Sequence, residues 1–228
     1  MSENLEDRYK LVLERIKAAG RSVQLIAVSK TQSVDAIEEL YKLGQRDFGE
    51  NYAQELMAKA VELNNRGAND IRWHFIGHLQ TNKVKAVIPY VHSVHSVHSE
   101  KLAVELNKRW QALGKAEPLK VFIEVNIDRE ENKSGVMPEQ AVALAEKISG
   151  LPQLKLLGLM CIPEFGTTGA GVQFKNLREL DKECKGLSEH QLSMGMTDDF
   201  EVAIREGASF VRVGTAIFGA RPVKGQSS

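Results

Sequence analysis

A lysine at the end of a predicted strand is the first residue of this chain that could do chemistry. The apolar run LIAVS at positions 25–29 is followed by Lys30, which shares its strand parity with Ile26 and Val28. A primary amine in such a position can form an imine with a carbonyl compound. Desolvation there would lower the pKa of the amine and supply the neutral form that attack requires. The alternative is a surface lysine that simply ends the strand.

Two glycine-containing segments near the C-terminus could hold an anion. The last predicted strand reads FVRVGTAIFG and carries Arg212, Gly214 and Thr215. A Gly-Thr pair at a strand end exposes backbone N–H groups and one hydroxyl, which suits a phosphate. The preceding predicted strand offers Ser193 in LSMGM. These segments predict a phosphate site, although most glycines in proteins merely turn the chain.

Two further polar residues, one just after a predicted strand and one within another, are candidates for the same site. Asn51 lies in FGEN and His74 lies in WHFIG. Each could hydrogen-bond to a planar ligand or stack on it, and each could equally be a core polar group with its own partners. For His74 alone, the core role is favoured.

The segment VHSVHSVHS places His92, His95 and His98 at intervals of three. Imidazole is a common zinc ligand, so this spacing raises the question of a metal site. On a strand, however, His95 faces away from the other two histidines, and three ligands cannot converge. The preceding Pro89 and Tyr90 favour a strand followed by a turn. We therefore expect no metal here.

The elements that must position these residues alternate along the chain. Short apolar runs, several of them rich in β-branched residues, are separated by longer stretches of helical periodicity. The predicted strands are 24–29, 47–50, 72–77, 93–97, 120–127, 156–162, 191–196 and 210–218. Eight strands interleaved with helices fit a single α/β fold of the (β/α)₈ TIM-barrel type. The alternative, an open six-stranded sheet, would require the two weakest strands, 47–50 and 93–97, to be absent.

The N-terminal segment has a helical stripe of its own. Only about ten residues follow Phe218, too few for a full eighth helix after the last strand. The apolar positions of the N-terminal stripe are Leu5, Tyr9, Val12, Ile16 and Ala19. We predict that this leading helix closes the ring beside the last strand. No Pro- or Ser-rich linker divides the chain, so residues 1–228 are expected to form a single domain.

Composition excludes several classes of protein. Thirty Lys and Arg residues balance thirty Asp and Glu residues, which removes the simplest electrostatic case for nucleic-acid binding. The polar, acidic N-terminus does not resemble a secretory signal, and no apolar run approaches the length of a membrane span. Cys161 and Cys184 form no CxxC pair and are expected to be reduced thiols of a cytoplasmic protein. Without an exposed heptad or apolar stripe, a monomer is expected.

Motifs in order along nearly the whole chain resemble one known family. They are VSKT (28–31), FGENYAQE (48–55), WHFIGHLQTNK (73–83), NKSG (132–135), GLMCIP (158–163), LSMGMTDDFEVAIREG (192–207) and VRVGTAIFGAR (211–221). Together they resemble the pyridoxal 5′-phosphate homeostasis protein family, which is similar to the N-terminal barrel domain of alanine racemase. The combination is highly specific.

The resemblance implies a single barrel that binds pyridoxal phosphate (PLP) as an internal aldimine. Lys30 in VSK would be the lysine of the Schiff base. Ser193 in LSMGM, and Gly214 with Thr215 in RVGTA, would hold the phosphate. Arg212 would face the pyridine nitrogen.

Asn51 in FGEN would lie near the cofactor ring by the same resemblance, and His74 is a weaker transfer of the same kind. The family usually reads HSVDS where this chain reads HSVHS, so His98 stands at a position that is commonly acidic. Lys133, in the loop DREENKSGV, is the second choice for an imine-forming lysine. On composition alone, that loop is typical of a solvated charged segment.

The resemblance further implies a carrier that stores and buffers PLP and delivers it to apo-enzymes, without robust catalysis. An arginine opposite the ring nitrogen would favour the unprotonated pyridine and weaken the electron sink on which PLP catalysis depends. Racemisation needs acids and bases on both faces of the substrate, and we find no candidate for the second. The alternatives are a small PLP-dependent amino-acid racemase or related enzyme of the same fold type, and a Schiff-base aldolase without PLP.

Overall fold

Eight parallel strands form a closed barrel in which each strand pairs with the next and the last pairs with the first. The computed structural model describes residues 4–163 and 169–219. The strands are β1 (Gln24–Val28), β2 (Asp47–Glu50), β3 (Arg72–Phe75), β4 (Val91–Val97), β5 (Leu119–Glu124), β6 (Leu154–Met160), β7 (Gln191–Ser193) and β8 (Phe210–Val213). The predicted barrel is confirmed. The strands predicted at 47–50 and 93–97, which the open-sheet alternative required to be absent, are present as β2 and β4.

Helices cover the outside of the barrel between successive strands. They are α1 (Leu5–Ala18), α2 (Val34–Lys42), α3 (Ala53–Asn65), α4 (Val84–Val87), α5 (Glu100–Ala112), α6 (Pro138–Ser149), α7 (Ala170–Glu183), α8 (Phe200–Arg205) and α9 (Thr215–Phe218), with a 3₁₀ turn at Thr81–Lys83. Local sequence sets several of their starts. The side chains of Asn4, Ser33 and Ser99 accept hydrogen bonds from backbone N–H groups in the first turns of α1, α2 and α5. Among the helices described, none is long and apolar enough to cross a membrane.

Helix α1 closes the ring beside the last strand, as predicted. Arg8 Nε donates a hydrogen bond of 2.8 Å to the carbonyl oxygen of Ile217 in α9. Arg15 forms a two-pronged ion pair with Glu201 of α8, at 2.7 and 2.9 Å. The N-terminal helix therefore packs beside the elements that flank β8.

The last predicted strand, 210–218, is too long. Strand β8 ends at Val213, and residues Thr215–Phe218 form the short helix α9. The apolar run after Gly214 reads equally well as a strand or as a helix turn, because periodicity cannot separate the two over four residues. Ile217 and Phe218 are buried, so the helix turn still contributes to the core.

The barrel interior combines a small apolar cluster with a buried polar layer. The apolar cluster consists of Phe122, Leu157 and Met160, with Phe210 packed against it. The polar side chains that are buried on the inward parity of the strands include Asp47, His74, Ser93, His95, Ser193 and Arg212. TIM-type barrels usually fill this space with branched aliphatic side chains, so a polar interior points to a function.

Candidate functional site

Lys30 follows β1 at the carboxyl-terminal rim of the barrel, where it is half-buried. Its backbone is held on both sides. Lys59 Nζ donates to the carbonyl oxygen of Ser29 at 2.8 Å, and the N–H of Thr31 donates to Glu55 Oε2 at 2.9 Å. Thr31 adopts a left-handed backbone conformation, with φ of 64°. The peptide groups that flank Lys30 are therefore fixed by side chains of α3.

These side chains belong to a buried ionic cluster beneath the rim. Lys59 Nζ also contacts Glu50 Oε1 at 2.8 Å and Glu55 Oε2 at 2.9 Å, and the Ser29 hydroxyl donates to Glu50 Oε1 at 2.7 Å. Burial raises the pKa of Glu50, although Lys59 and Ser29 oppose the rise. Burial also acts upward on Glu55, but the Thr31 N–H and Lys59 outweigh it and lower the pKa of that carboxyl group. The cluster thus supports the backbone on both sides of Lys30.

Gly214 lies beside Val28, two residues before Lys30, because β8 and β1 are neighbours, with Ala27 opposite Val213. A Cβ atom at Gly214 would lie 3.2 Å from the carbonyl oxygen of Val28, so the close approach of the two backbones favours glycine here. Thr215, which begins α9, has an exposed side chain. The structure therefore brings the predicted amine and the predicted Gly-Thr pair to adjacent strands on one rim.

The loop after β7 joins the same rim. Gly195 has φ of 91°, and a Cβ atom there would lie only 2.5 Å from the Cβ atom of Ala203. The Thr197 hydroxyl accepts a hydrogen bond of 3.4 Å from the backbone N–H of Ala216 in α9. The two glycine-containing segments that the sequence singled out are thus in contact.

Ser193 and Arg212 form a fully buried pair inside the barrel. Arg212 Nη1 donates to Ser193 Oγ at 2.8 Å, and Arg212 Nη2 donates to the carbonyl oxygen of Cys161 at 2.9 Å. Burial lowers the pKa of Arg212. On its other side, Ser193 Oγ lies 2.8 Å from His95 Nδ1. The Ser193 hydroxyl is therefore committed to partners within the barrel.

His74 continues this hydrogen-bonded chain toward the amino-terminal ends of the strands. Its Nδ1 lies 2.7 Å from Ser93 Oγ and 3.1 Å from His95 Nε2, and its Nε2 lies 2.8 Å from Asp47 Oδ1. Burial lowers the pKa of His74, whereas Arg72 and His74 outweigh burial and lower the pKa of Asp47. His74 lines a cavity at the amino-terminal ends of the strands, so the structure does not bring it to the rim of Lys30.

Among the buried polar atoms of the described residues that lack hydrogen-bond partners, two lie outside the ionic cluster and follow or end strands that lead to this rim. They are Oδ1 of Asn51, which follows β2, and Oε2 of Glu124, which ends β5. Since Val28 pairs with Gly49, continuation of the register places Asn51 opposite Lys30. Burial raises the pKa of Glu124 to about 7, against the opposing effect of Arg212. Buried polar atoms are rarely left without partners, so these two fit a polar ligand.

Lys133 and His98 make contacts of their own. Lys133 forms ion pairs with Asp128, at 3.2 Å, and with Glu130. His98 stacks on His78 with ring centroids 4.5 Å apart, and its Nδ1 donates to the carbonyl oxygen of Ser96 at 3.1 Å. His98 is thus held by a stacking contact and a backbone hydrogen bond.

Sequence reasoning did not assign four residues to this site, although it considered His95 as a metal ligand. Glu50 and Lys59 bring opposite charges beneath Lys30, Glu124 adds a carboxyl group of raised pKa, and His95 links Ser193 to His74. The inward parity of Glu124 with Phe122, and of His95 with Ser93, was the available signal. For Lys59 the signal was its i, i+4 spacing from Glu55.

The fold and the lysine-bearing rim define a class of protein, the barrel domain of alanine racemases. The family model described as alanine racemase, N-terminal domain, matches residues 2–222. An alanine racemase of Clostridium difficile superposes with a TM-score of 0.73 at 17% identity, over 96% of this chain and 58% of that one. This likeness concerns the fold alone.

Closer relatives specify the family within that class. The pyridoxal phosphate homeostasis protein of Pseudomonas aeruginosa is 44% identical over 226 residues, 97% of this chain and 96% of the relative. The human protein of the same name is 43% identical over 211 residues, 87% of this chain and 76% of the relative. The structure of PipY from Synechococcus elongatus with PLP bound has a TM-score of 0.83 at 34% identity, over 95% of this chain and all of that one. The chain belongs to the pyridoxal phosphate homeostasis protein family.

Proposed function

We propose that this protein binds PLP covalently through Lys30 and acts in PLP homeostasis by storing and buffering the cofactor and delivering it to apo-enzymes. One observation carries the proposal. The half-buried Lys30 follows β1 on the same rim as Gly214 and Thr215 of the neighbouring β8. The aldehyde of PLP condenses reversibly with a primary amine, with loss of water, while its phosphate needs a separate anion site.

Different residues would bind the phosphate and position Arg212. Gly214 and Thr215 would take the phosphate together with the turn at Gly195, because both segments meet beside Lys30. The Ser193 hydroxyl already binds Arg212 and His95, so we assign it to positioning Arg212 toward the pyridine nitrogen.

Asn51 supports the proposal through its unpartnered Oδ1, which can accept a hydrogen bond from a ring substituent. His74 lies toward the opposite end of the barrel, so we leave it out of the set that contacts the cofactor.

Arg212 favours a carrier over an enzyme. A guanidinium group donates hydrogen bonds and accepts none, so at the pyridine nitrogen it would hold that nitrogen without a proton. An unprotonated ring is a weak electron sink. Curated relatives at 41–44% identity are named as homeostasis proteins rather than as enzymes, which agrees with this assignment.

The proposal also covers the oligomeric state of the protein, its compartment and the recipients of PLP. We propose that it acts as a monomer in the cytoplasm and hands PLP to apo-enzymes that depend on it. Two buried, unpaired cysteines, Cys161 and Cys184, fit a reducing compartment.

The test is an absorbance spectrum of the purified protein with PLP, followed by borohydride reduction and peptide mapping. We expect a band at about 420 nm, typical of a PLP imine, and a reduced adduct on the peptide that contains Lys30. Lys30→Ala should abolish both signals, and the matched control Lys133→Ala should retain them. A stable band in Lys30→Ala, or an adduct on Lys133, would overturn the assignment.

The racemase alternative is tested by chiral analysis of alanine and serine after incubation with the PLP-loaded protein. We expect the enantiomeric ratio to stay unchanged over hours. A turnover number above about 1 s⁻¹, in the range of working enzymes, would establish the enzyme instead.

A further inference from the structure

The barrel has a cavity at the end opposite to Lys30. Residues near the starts of the strands line it, among them Arg72, His92, Lys120 and Phe210, and we call it the amino-end cavity. Its volume of about 610 Å³ lies within the range of small-molecule sites. In TIM-type barrels, this end normally serves stability rather than binding. A roomy, polar cavity here therefore calls for an explanation.

Two of the three cations around the amino-end cavity are neutralised by carboxylates. Arg72 Nε and Nη2 lie 2.8 and 2.5 Å from the two oxygens of Asp47. Lys155 Nζ lies 3.1 Å from Glu189 Oε1, in a pair whose side chains are both about half exposed. Neither pair leaves a net charge for a ligand to neutralise.

Lys120 is the third cation, and its neighbour is an imidazole. Lys120 Nζ lies 3.2 Å from His92 Nε2, and within the described part of the chain no carboxylate pairs with it. An ammonium group only donates, so His92 Nε2 accepts and the proton of the neutral ring must lie on Nδ1. Burial, aided by His74 and Lys120, lowers the pKa of His92 to about 4, which keeps the ring neutral near pH 7. The pair thus has one positive charge and one ring N–H donor.

Part of the wall is apolar. Leu157 and Phe210 line the amino-end cavity, and both pack in the inner apolar cluster of the barrel. A ligand that combines one anionic group with a small apolar body would match both parts of this wall.

We propose that the amino-end cavity binds a small organic monocarboxylate, with the carboxylate on Lys120 Nζ and the Nδ1–H of His92 and the apolar body on Leu157 and Phe210. The site is separate from the proposed PLP site and does not depend on it.

The charge balance selects a monocarboxylate over a phosphate ester. A phosphate near pH 7 carries between one and two negative charges and is usually held by more than one cation. Here Asp47 and Glu189 occupy the other two cations, and their carboxylates would repel a second negative charge. One unpaired ammonium group matches one carboxylate.

The test is calorimetric titration of the full chain, loaded with PLP, with benzoate, butyrate and inorganic phosphate. We expect saturable binding of the two carboxylates, with phosphate at least about tenfold weaker, a difference of about 1.4 kcal/mol. Lys120→Met should reduce benzoate affinity by at least the same factor. The matched control Lys147→Met replaces an exposed lysine outside the cavity and should bind benzoate like the wild type.

A second measurement needs no variant. In protein with ¹⁵N-labelled histidine, benzoate should shift the side-chain resonances of His92 and leave unchanged those of the exposed His78, which does not line the cavity. The proposal is overturned by the lack of saturable carboxylate binding, by a preference for phosphate, by wild-type affinity in Lys120→Met, or by an unshifted His92.

Discussion

Lys59 Nζ lies 2.8 Å from the carbonyl oxygen of Ser29, the residue that immediately precedes Lys30. The same ammonium group neutralises Glu50, which is completely buried. Glu55, the other carboxylate of this cluster, accepts the N–H of Thr31 on the far side of Lys30. A buried lysine thus holds the strand end from which another lysine projects. Two carboxylates lie within hydrogen-bonding distance of Lys59, so its charge is committed to this cluster.

Lys59→Met tests this support. Removing one partner of a buried ion pair leaves Glu50 without its counter-charge, so we expect a loss of about 3–5 kcal/mol in the free energy of unfolding. Because the backbone at Lys30 is released as well, PLP should dissociate faster. Urea denaturation and the decay of the PLP absorbance during dialysis measure the two effects.

Two controls separate the buried charge from general damage. Lys42→Met removes a surface pair with Glu38, which lies 3.2 Å away, and should change stability by no more than about 0.5 kcal/mol. Adding Glu50→Gln to Lys59→Met should recover part of the loss, because it removes the buried charge. Equal stability of Lys59→Met and Lys42→Met would contradict the role that we assign to Lys59.

Glu124 should make stability depend on pH. Its pKa is raised from 4.5 to about 7 in the folded protein. Between these values the folded state binds more protons than the unfolded state, so this group's contribution to stability falls as pH rises from about 5 to 7. Glu124→Gln removes the titration, and the decline attributable to this residue, at most about 3 kcal/mol, should disappear.

Urea denaturation at pH 5 and pH 8 checks this prediction. The informative quantity is the change between the two pH values in the wild type minus the same change in Glu124→Gln, since other groups titrate in both proteins. Exposed Glu131→Gln is the matched control and should behave like the wild type. If the two pH profiles run parallel, the raised pKa of Glu124 is wrong.

His95 links the two ends of the barrel, and His95→Phe should break that link. The imidazole lies 2.8 Å from Ser193 Oγ and stacks on Phe122 with ring centroids 4.3 Å apart. Phenylalanine keeps the stack and leaves buried polar groups without a partner, so we expect a cost of about 1–3 kcal/mol for each.

PLP affinity should fall in the same variant, because Ser193 would no longer fix Arg212. Equilibrium titration of the apo-protein with PLP measures this fall. His98→Phe, which retains the stacking contact with His78 and loses one hydrogen bond to a backbone carbonyl, is the control. Wild-type PLP affinity in His95→Phe would show that the hydrogen-bonded chain does not reach the cofactor.

The barrel, and the positions of Lys30 and Gly214 along their strands, could be predicted from the sequence, because strand ends and inward parity follow from local pattern. The contacts of Lys59 could not be predicted, because they depend on how α3 packs beneath β1 and β2. The sequence prediction also extended the last strand through Thr215–Phe218, because a stretch of four residues is too short for a decisive periodicity. His74 was predicted as a rim candidate, whereas its side chain contacts Asp47 inside the barrel, a contact that the local pattern does not reveal.

Gly195→Ala should separate steric crowding from backbone strain at the proposed phosphate site. Gly195 and Gly186 both have left-handed backbones, with φ of 91° and 78°. A Cβ atom at Gly195 would lie 2.5 Å from the Cβ atom of Ala203 and 3.0 Å from the Cα atom of Phe200, whereas a Cβ atom at Gly186 meets nothing within 4 Å.

Gly186→Ala should therefore reduce the free energy of unfolding only by the cost of the left-handed backbone, about 1–2 kcal/mol. Gly195→Ala should add about 1–3 kcal/mol for overpacking against α8. It should also weaken PLP binding, because the backbone oxygen of Gly195 accepts the N–H of Arg212 at 2.9 Å. Urea denaturation and PLP titration of both variants give the comparison, and equal costs at the two positions would show that α8 shifts freely and does not hold the turn.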